Sequence, residues 1–423
     1  MSVPATVTGV TTEPAPKSRR IPWWAFLAAV PAVLFLLAVL ELVTGANDLA
    51  SSGTIMATLI ATTPIMLAGL GGLWSERAGV VNIGLEGMMI LGTYGAGYFG
   101  YHYGAWAAVL GAVGMGMLGG LLHAIATVIF GVDHIISGVA INIIALGAVQ
   151  YLASLTFVGL PGGGSTQSPK IPDVPTITFE GLSDKLFEIE KNDTFFVSQV
   201  AALLRALCTN LSSLVIISFL LLIVTWYVLW RTSFGLRLRS CGESPAAAES
   251  LGVHVLRYKF VAVVVSGALA GLGGGVLTMV ASSNYRDGQT GGRGYIGLAA
   301  MIFGNWRTGG LAGGAALFGY TDAIQLRGGG DVVRAYLLPI AIFLVAWGIW
   351  ILVRRRQGKP AVGVVTVVLG ILSFVWFFGV SRVSNEFTGM TPYVATLLVL
   401  AFASQRLRPP AADGQIYRKG EST

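Results

Sequence analysis

Residues 258–281, YKFVAVVVSGALAGLGGGVLTMVA, hold one charge, Lys259 near their edge, in 24 positions. A helix crosses the hydrocarbon core of a bilayer with about 20 predominantly apolar residues, so this run is long enough to span. Apolar stretches recur at 21–43, 53–73, 83–100, 105–130, 134–158, 207–230, 295–305, 309–326, 336–353, 361–380 and 391–404, of which 295–305 and 391–404 are short for a full crossing. The whole chain agrees: of its 423 residues, 54% are hydrophobic and 11% charged, with 57 glycines. Soluble proteins carry roughly 25% charge. That deficit excludes a soluble domain, a disordered chain and a secreted disulfide scaffold. Long runs rather than the weak alternation of an outer-membrane barrel mean helical spans. The expected fold is an all-α polytopic membrane protein with about 10–12 transmembrane or half-membrane helices.

Working outward, 21–43 is too long for the apolar core of a signal peptide, and no small-residue cleavage site follows it. It reads as an uncleaved first span after a cytoplasmic tail, 1–20, that ends in Lys17, Arg19 and Arg20. Threading the spans alternately from there divides the chain into a first membrane part at 21–158, an extracytoplasmic loop at 159–206, a second membrane part at 207–404 and a cytoplasmic tail at 405–423. The loops placed inside carry 17 Lys and Arg, those outside 9, with Lys259 at a span edge, the bias that the positive-inside rule requires. The net charge of +7 therefore reports orientation rather than a nucleic-acid partner. The loop 159–206 begins as a Pro/Gly/Ser-rich linker and continues through GLSDKLFEIEKNDTFF, which suits a short surface helix. Cys208 and Cys241 fall on opposite sides of the bilayer and cannot bridge.

Catalytic and cofactor signatures are missing from the sequence. No Gly-x4-Gly-Lys-[Ser/Thr] occurs, since Gly358-Lys359 is followed by Pro360. No metal-spaced Cys pair, His-Glu-x-x-His or Gly-x-Ser-x-Gly occurs either. The four histidines are scattered and read as satisfied or interface residues. The glycine clusters 69–72 and 271–275 lie inside apolar runs, where small residues let helices approach closely. The chain reads as no enzyme and binds no cofactor of its own.

Two segments stand out. In SERAGVVNIGLEGMM, residues 75–89, Asn82 and Glu86 are four apart and would share a helix face. A carboxylate inside an apolar run is costly, and it either contacts a pathway or ties a broken helix by accepting backbone N–H bonds. We favour the tie. Ile83-Gly84-Leu85-Glu86-Gly87-Met88 is echoed by Ile296-Gly297-Leu298-Ala299-Ala300-Met301, and the threading runs the two in opposite directions. Paired, glycine-interrupted half-helices point to an inverted repeat around a central path, with Asn82, Glu86, Ile296, Gly297 and, in FGYTDAI, Asp322 as the residues along it.

The second segment, 231–257, is placed in the cytoplasm. Ser244 suits an N-cap, Pro245 a first helical position and Gly252 a C-terminal stop. A two-turn helix with small alanine faces follows.

Together, SERAGVVNIGLEGMM, RTSFGLRLRSCGESPAAAESLGV, SGALAGLGGG, GGRGYIGLAAMIFGNW, LFGYTDAI, TPYVATLLVLA and PPAADGQIYRKGE resemble the permease subunit of bacterial ABC importers. The superfamily is the branched-chain amino acid/ribose type, and the branch is that of simple sugars and nucleosides. The resemblance implies a multi-pass protein of the bacterial plasma membrane with both termini cytoplasmic. It implies a second permease subunit, a cytoplasmic ABC ATPase that binds the ATP, and an extracytoplasmic substrate-binding protein. The carried-over coupling helix is Gly242 to Gly252, with Glu243, Ala247, Ala248 and Glu249 toward the ATPase. Two features depart from the family pattern: the long loop 159–206 and an apparent inserted hairpin at 336–380. A secondary transporter driven by an ion gradient is the competing reading; it has no need of the helix in 231–257.

Overall fold

The computed structural model describes residues 23–46, 48–354, 360–391, 394, 397 and 407–420. The expected tail 1–20, most of 391–404, and Arg355 and Arg356 of the expected hairpin turn lie outside these residues. The helices are α1 (Trp23–Thr44), α2 (Ser52–Arg77), α3 (Leu85–Tyr103), α4 (Ala105–Ala124), α5 (His134–Thr156), α6 (Glu180–Lys191), α7 (Val197–Cys208), α8 (Ser213–Arg231), α9 (Ser233–Glu243), α10 (Pro245–Ser250), α11 (Val255–Val276), α12 (Arg293–Phe303), α13 (Thr308–Ala323), α14 (Gly329–Arg354), α15 (Pro360–Gly379) and α16 (Asn385–Gly389). Strands β1 (Thr176–Ile177) and β2 (Leu211–Ser212) pair antiparallel. Among the described residues, seven helices are long and apolar enough to cross a membrane. The chain is an all-α polytopic membrane protein.

The centre is built on glycine. Helices α4 and α11 meet along Gly116 and Gly120 of one and Gly267 and Gly271 of the other, four apart on each. A Cβ on Gly116 would stand 2.4 Å from the Gly267 carbonyl oxygen, and one on Gly271 2.4 Å from that of Ala112. Only bare backbone fits there, and the close approach supplies the dispersion contact that drives association where lipid removes the hydrophobic force. Leu67, Leu70, Met88 and Met89 fill the layers between α2, α3 and α11 with no exposed surface.

The packing follows an exchange rule. Helix α2 packs on α13 as α11 packs on α4, and α3 lies on α11 and α4 as α12 lies on α2 and α13. Helices α2 and α11 pack on each other. Both α4 and α13 end in a π turn, Ile125–Ile129 and Ile324–Gly328. Swapping α2, α3, α4 for α11, α12, α13 preserves these contacts, the pattern of an internal two-fold repeat. Helix α12, at 11 residues and 1.5 Å per residue, is roughly 16 Å long, half of a hydrocarbon core.

Five local readings change. Asn82 precedes α3 and shares no helix face with Glu86, because its Oδ1 accepts the Gly84 N–H at 3.0 Å and holds the chain in a turn. The linker of the long loop is packed: Ser168 N–H donates to the Tyr285 carbonyl and Ile171 N–H to that of Ser283, both at 3.0 Å, so this segment covers the α11–α12 connection. Two helices follow it, α6 and α7, where one was expected. A further helix, α9, precedes α10, capped by Thr232 Oγ1, which accepts the Gly235 N–H at 3.1 Å. The hairpin begins earlier than 336, at Gly329, because α13 runs through its π turn directly into α14.

Candidate functional site

Helix α2 ends at Arg77, and Gly79, at φ +82°, turns the chain back toward the interior. Ser75 Oγ donates to the Val80 carbonyl at 2.6 Å, and Asn82 Nδ2 to Ser266 Oγ on α11 at 2.8 Å. Helix α3 then starts in the middle of the protein, where its first N–H groups have no helical partner. Asn142 of α5 supplies one: its Oδ1 accepts the Gly87 N–H at 2.7 Å, while its Nδ2 donates to the Ile83 carbonyl and to the Tyr295 hydroxyl, each at 3.0 Å.

Glu86, in the first turn of α3 and 7% exposed, reaches the other break. Its Oε1 accepts the Gly292 N–H at 2.9 Å and its Oε2 the Gly294 N–H at 2.7 Å. These donors open α12, so the carboxylate satisfies orphan N–H groups at the positive end of a helix dipole. This is the tethering geometry, and the contact is charge-assisted on both oxygens. It requires glycine opposite: a Cβ on Gly294 would stand 2.6 Å from Glu86 Cα.

Beside this tie lies a cavity of about 370 Å³ lined by Arg293, Tyr295, Ile296, Phe318, Asp322 and Gln325, among others. Arg293 Nη2 donates to Asp322 Oδ2 at 2.6 Å, and Nη1 lies against the carbonyls of Gln289 and Thr290 at 3.4 and 3.3 Å. The structure thus brings Glu86, Ile296 and Asp322 to one region. Gly297 instead packs on α2, where an added Cβ would meet the Ile65 carbonyl at 2.7 Å, and Asn82 serves the α2–α3 turn. Sequence reasoning missed Arg293 and Asn142; an asparagine inside the apolar run 134–158 was the available signal for the latter.

A second cluster occupies the end of the bundle where α2 stops. Gly242 seats α9 on α2, leaving 2.4 Å between an added Cβ and the Arg77 carbonyl oxygen. Arg77 donates to the Trp306 carbonyl at 2.6 Å and stands 3.6 Å from Glu243. The tail straps this region. Ala412 N–H donates to the Gly242 carbonyl at 2.8 Å, Ala411 N–H to Glu243 Oε2 at 3.3 Å, and the Tyr417 hydroxyl to Glu249. Ala248 is buried against Cys241 and Val255. What α10 presents outward is Ala247, Ser250 and Leu251, the last 84% exposed. Burial pushes the Asp413 carboxyl of the tail up to about 6.

Broken helices tied at the centre of a polytopic bundle, a cavity beside the tie that holds an ion pair, and short helices braced at one end are the parts of a membrane transport protein. The chain belongs to the branched-chain amino acid transport system/permease component family, whose pattern matches residues 54–347. It is a membrane permease component and not an enzyme. It is 35% identical to the guanosine ABC transporter permease protein NupQ of Bacillus subtilis over 73% of this chain and 94% of that one. It is 31% identical to the nucleoside ABC transporter permease protein NupC of Lactococcus lactis over 86% and 96%. To the putative glucose ABC transporter permease protein TsgC13 of Haloferax volcanii it is 29% identical over 87% and 98%. No solved structure matches the chain significantly.

Proposed function

We propose that this chain is the transmembrane permease subunit of an ABC importer that carries nucleosides or simple sugars, nucleosides being the better fit. The observation that carries the reading is α10. In a permease-family chain whose sequence holds no nucleotide-binding loop, a six-residue helix projects an apolar tip, Leu251, from a base strapped by the tail. That is a lever for a separate ATPase, and Ala247, Ser250 and Leu251 are the residues placed to touch it. Glu243 and Glu249 serve the strap, Gly242 the seat on α2 and Gly252, at φ +81°, the stop.

In this reading the α10 end faces the cytoplasm with both termini, in a bacterial plasma membrane, as the excess of inside Lys and Arg supports. The opposite face, covered by 159–206, receives an extracytoplasmic binding protein. A second permease subunit completes the path, along which Glu86, Asn82, Ile296, Gly297 and Asp322 hold or line the broken-helix centre. Similarity to NupQ and NupC over most of the chain supports the substrate class. Uptake of labelled guanosine by cells with and without this chain tests it. Import is expected to require the chain; equal uptake by both strains, together with unchanged uptake of ribose, would reject the assignment.

A further inference from the structure

The ion pair Arg293–Asp322 forms part of the wall of the cavity between α12 and α13, and only about a fifth of each side chain is exposed, 22% and 17%. Ionisable side chains in membrane helices are rare and mark substrate paths by default. This pair is pre-oriented, because the Gln289 and Thr290 carbonyls face the second arm of the guanidinium. Arginine occupies one carboxylate oxygen, Oδ2; among the described residues no other hydrogen bond reaches Asp322. The apolar side chains of Ile65, Ile296 and Phe318 line the same cavity. At about 370 Å³ the cavity falls within the ~300–1,000 Å³ of small-molecule sites.

We propose that this cavity is a binding station in the permease itself for the cis-diol of a ribonucleoside, Asp322 accepting from the ribose hydroxyls, Arg293 donating to them, and the base lying on the apolar wall. The proposal rests on the importer reading above and makes the permease, beside any binding protein, a second point of selection. The chemistry favours a neutral solute. The pair has no net charge to attract an ion, and a zwitterion would have to open the 2.6 Å contact, whereas a diol bridges it without breaking it. A site built to hydrogen-bond a hydroxyl discriminates against the analogue that lacks it, because its polar groups are left unpaired.

Proteoliposomes carrying the complete transporter test this with labelled guanosine and 2′-deoxyguanosine. The wild type is expected to prefer guanosine by about tenfold, and Asp322→Asn to bring the ratio within about twofold. If both uptakes fall by one factor with the ratio unchanged, the pair is only a tether and the proposal is overturned. Should Asp322→Asn fail to fold, direct binding to the detergent-purified wild-type permease–ATPase complex, without its binding protein, decides by saturation-transfer NMR. Guanosine is expected to bind at least about tenfold more tightly than 2′-deoxyguanosine or free ribose. Equal binding of the two nucleosides, ribose binding as tight as guanosine's, or no binding would each overturn it. A wild-type transporter that imports ribose but neither nucleoside overturns the proposal alone, whereas one that imports none of the three contradicts the importer reading.

Discussion

Glu86 turns one expensive charge into the latch between two halves of the protein. Facing lipid, it would cost about 3 kcal/mol on insertion scales; against Gly292 and Gly294 it meets two backbone donors. Glu86→Leu strands both, at roughly 1–3 kcal/mol per orphaned group, so a large fall in the melting temperature of the purified protein is expected. Glu86→Gln keeps one accepting oxygen and is expected to retain most transport; equal stability of Glu86→Leu and wild type would remove the latch. At the other cluster, Asp413 gives tail attachment a pH dependence. With a pKa near 6, above the ordinary 3.8, it binds its proton more tightly in the folded protein than out of it. Its contribution to tail attachment is therefore complete below about pH 4 and lost as pH rises through 6. Glu76, Arg77 and Lys259 face it. Protection of residues 408–420 against hydrogen exchange, each rate taken relative to the intrinsic rate at that pH, is expected to fall between pH 5 and pH 7.5 in the wild type and to change far less in Asp413→Asn.

Helices pack here by subtraction of side chains, so additions are the informative variants. Gly271→Val pushes side-chain atoms into the Ala112 carbonyl, where even a Cβ has 2.4 Å. Overpacking costs about 1–3 kcal/mol even in cores that can yield, and backbone on both sides leaves little to yield. Folded yield in detergent is expected to collapse, while Gly114→Ala, which meets nothing within 4 Å, leaves it unchanged. Ala247→Trp enlarges the exposed face of α10 and is expected to abolish substrate-stimulated ATP hydrolysis without lowering the melting temperature; normal stimulation would separate α10 from the ATPase. Residue chemistry alone announced these elements unevenly. Glycine inside apolar runs signalled the α4–α11 seam, Ser244-Pro245 and Gly252 framed α10, and a carboxylate among apolar residues marked Glu86. Arg293 was hidden, since its flank of α12 reads as loop and its partner Asp322 lies 29 positions away. The strap was hidden too: Tyr417 meets Glu249 and Ala411 meets Glu243 across 168 positions, a separation that local pattern does not encode.

Across the whole molecule, burial divides the helices by task. Helices α2 and α11 are mostly enclosed, whereas α14 and α15 pack on each other and leave most of their surface outside. Removing the hairpin, residues 329–380, as a unit is accordingly expected to lower stability more than it alters substrate choice, checked by expression and by competition between guanosine and ribose. A changed substrate profile at normal expression would put the hairpin on the path. Coupling of import to a separate ATPase, and not to an ion gradient, is tested directly by the energy source. Labelled guanosine uptake is measured in proteoliposomes holding the complete transporter, with its binding protein outside and an ion gradient imposed across the membrane, with ATP enclosed or omitted and with an ionophore present or absent. ATP-coupled import requires that uptake depend on ATP and be indifferent to the ionophore. Uptake that proceeds without ATP under an imposed ion gradient, and stops when the ionophore collapses it, would contradict it.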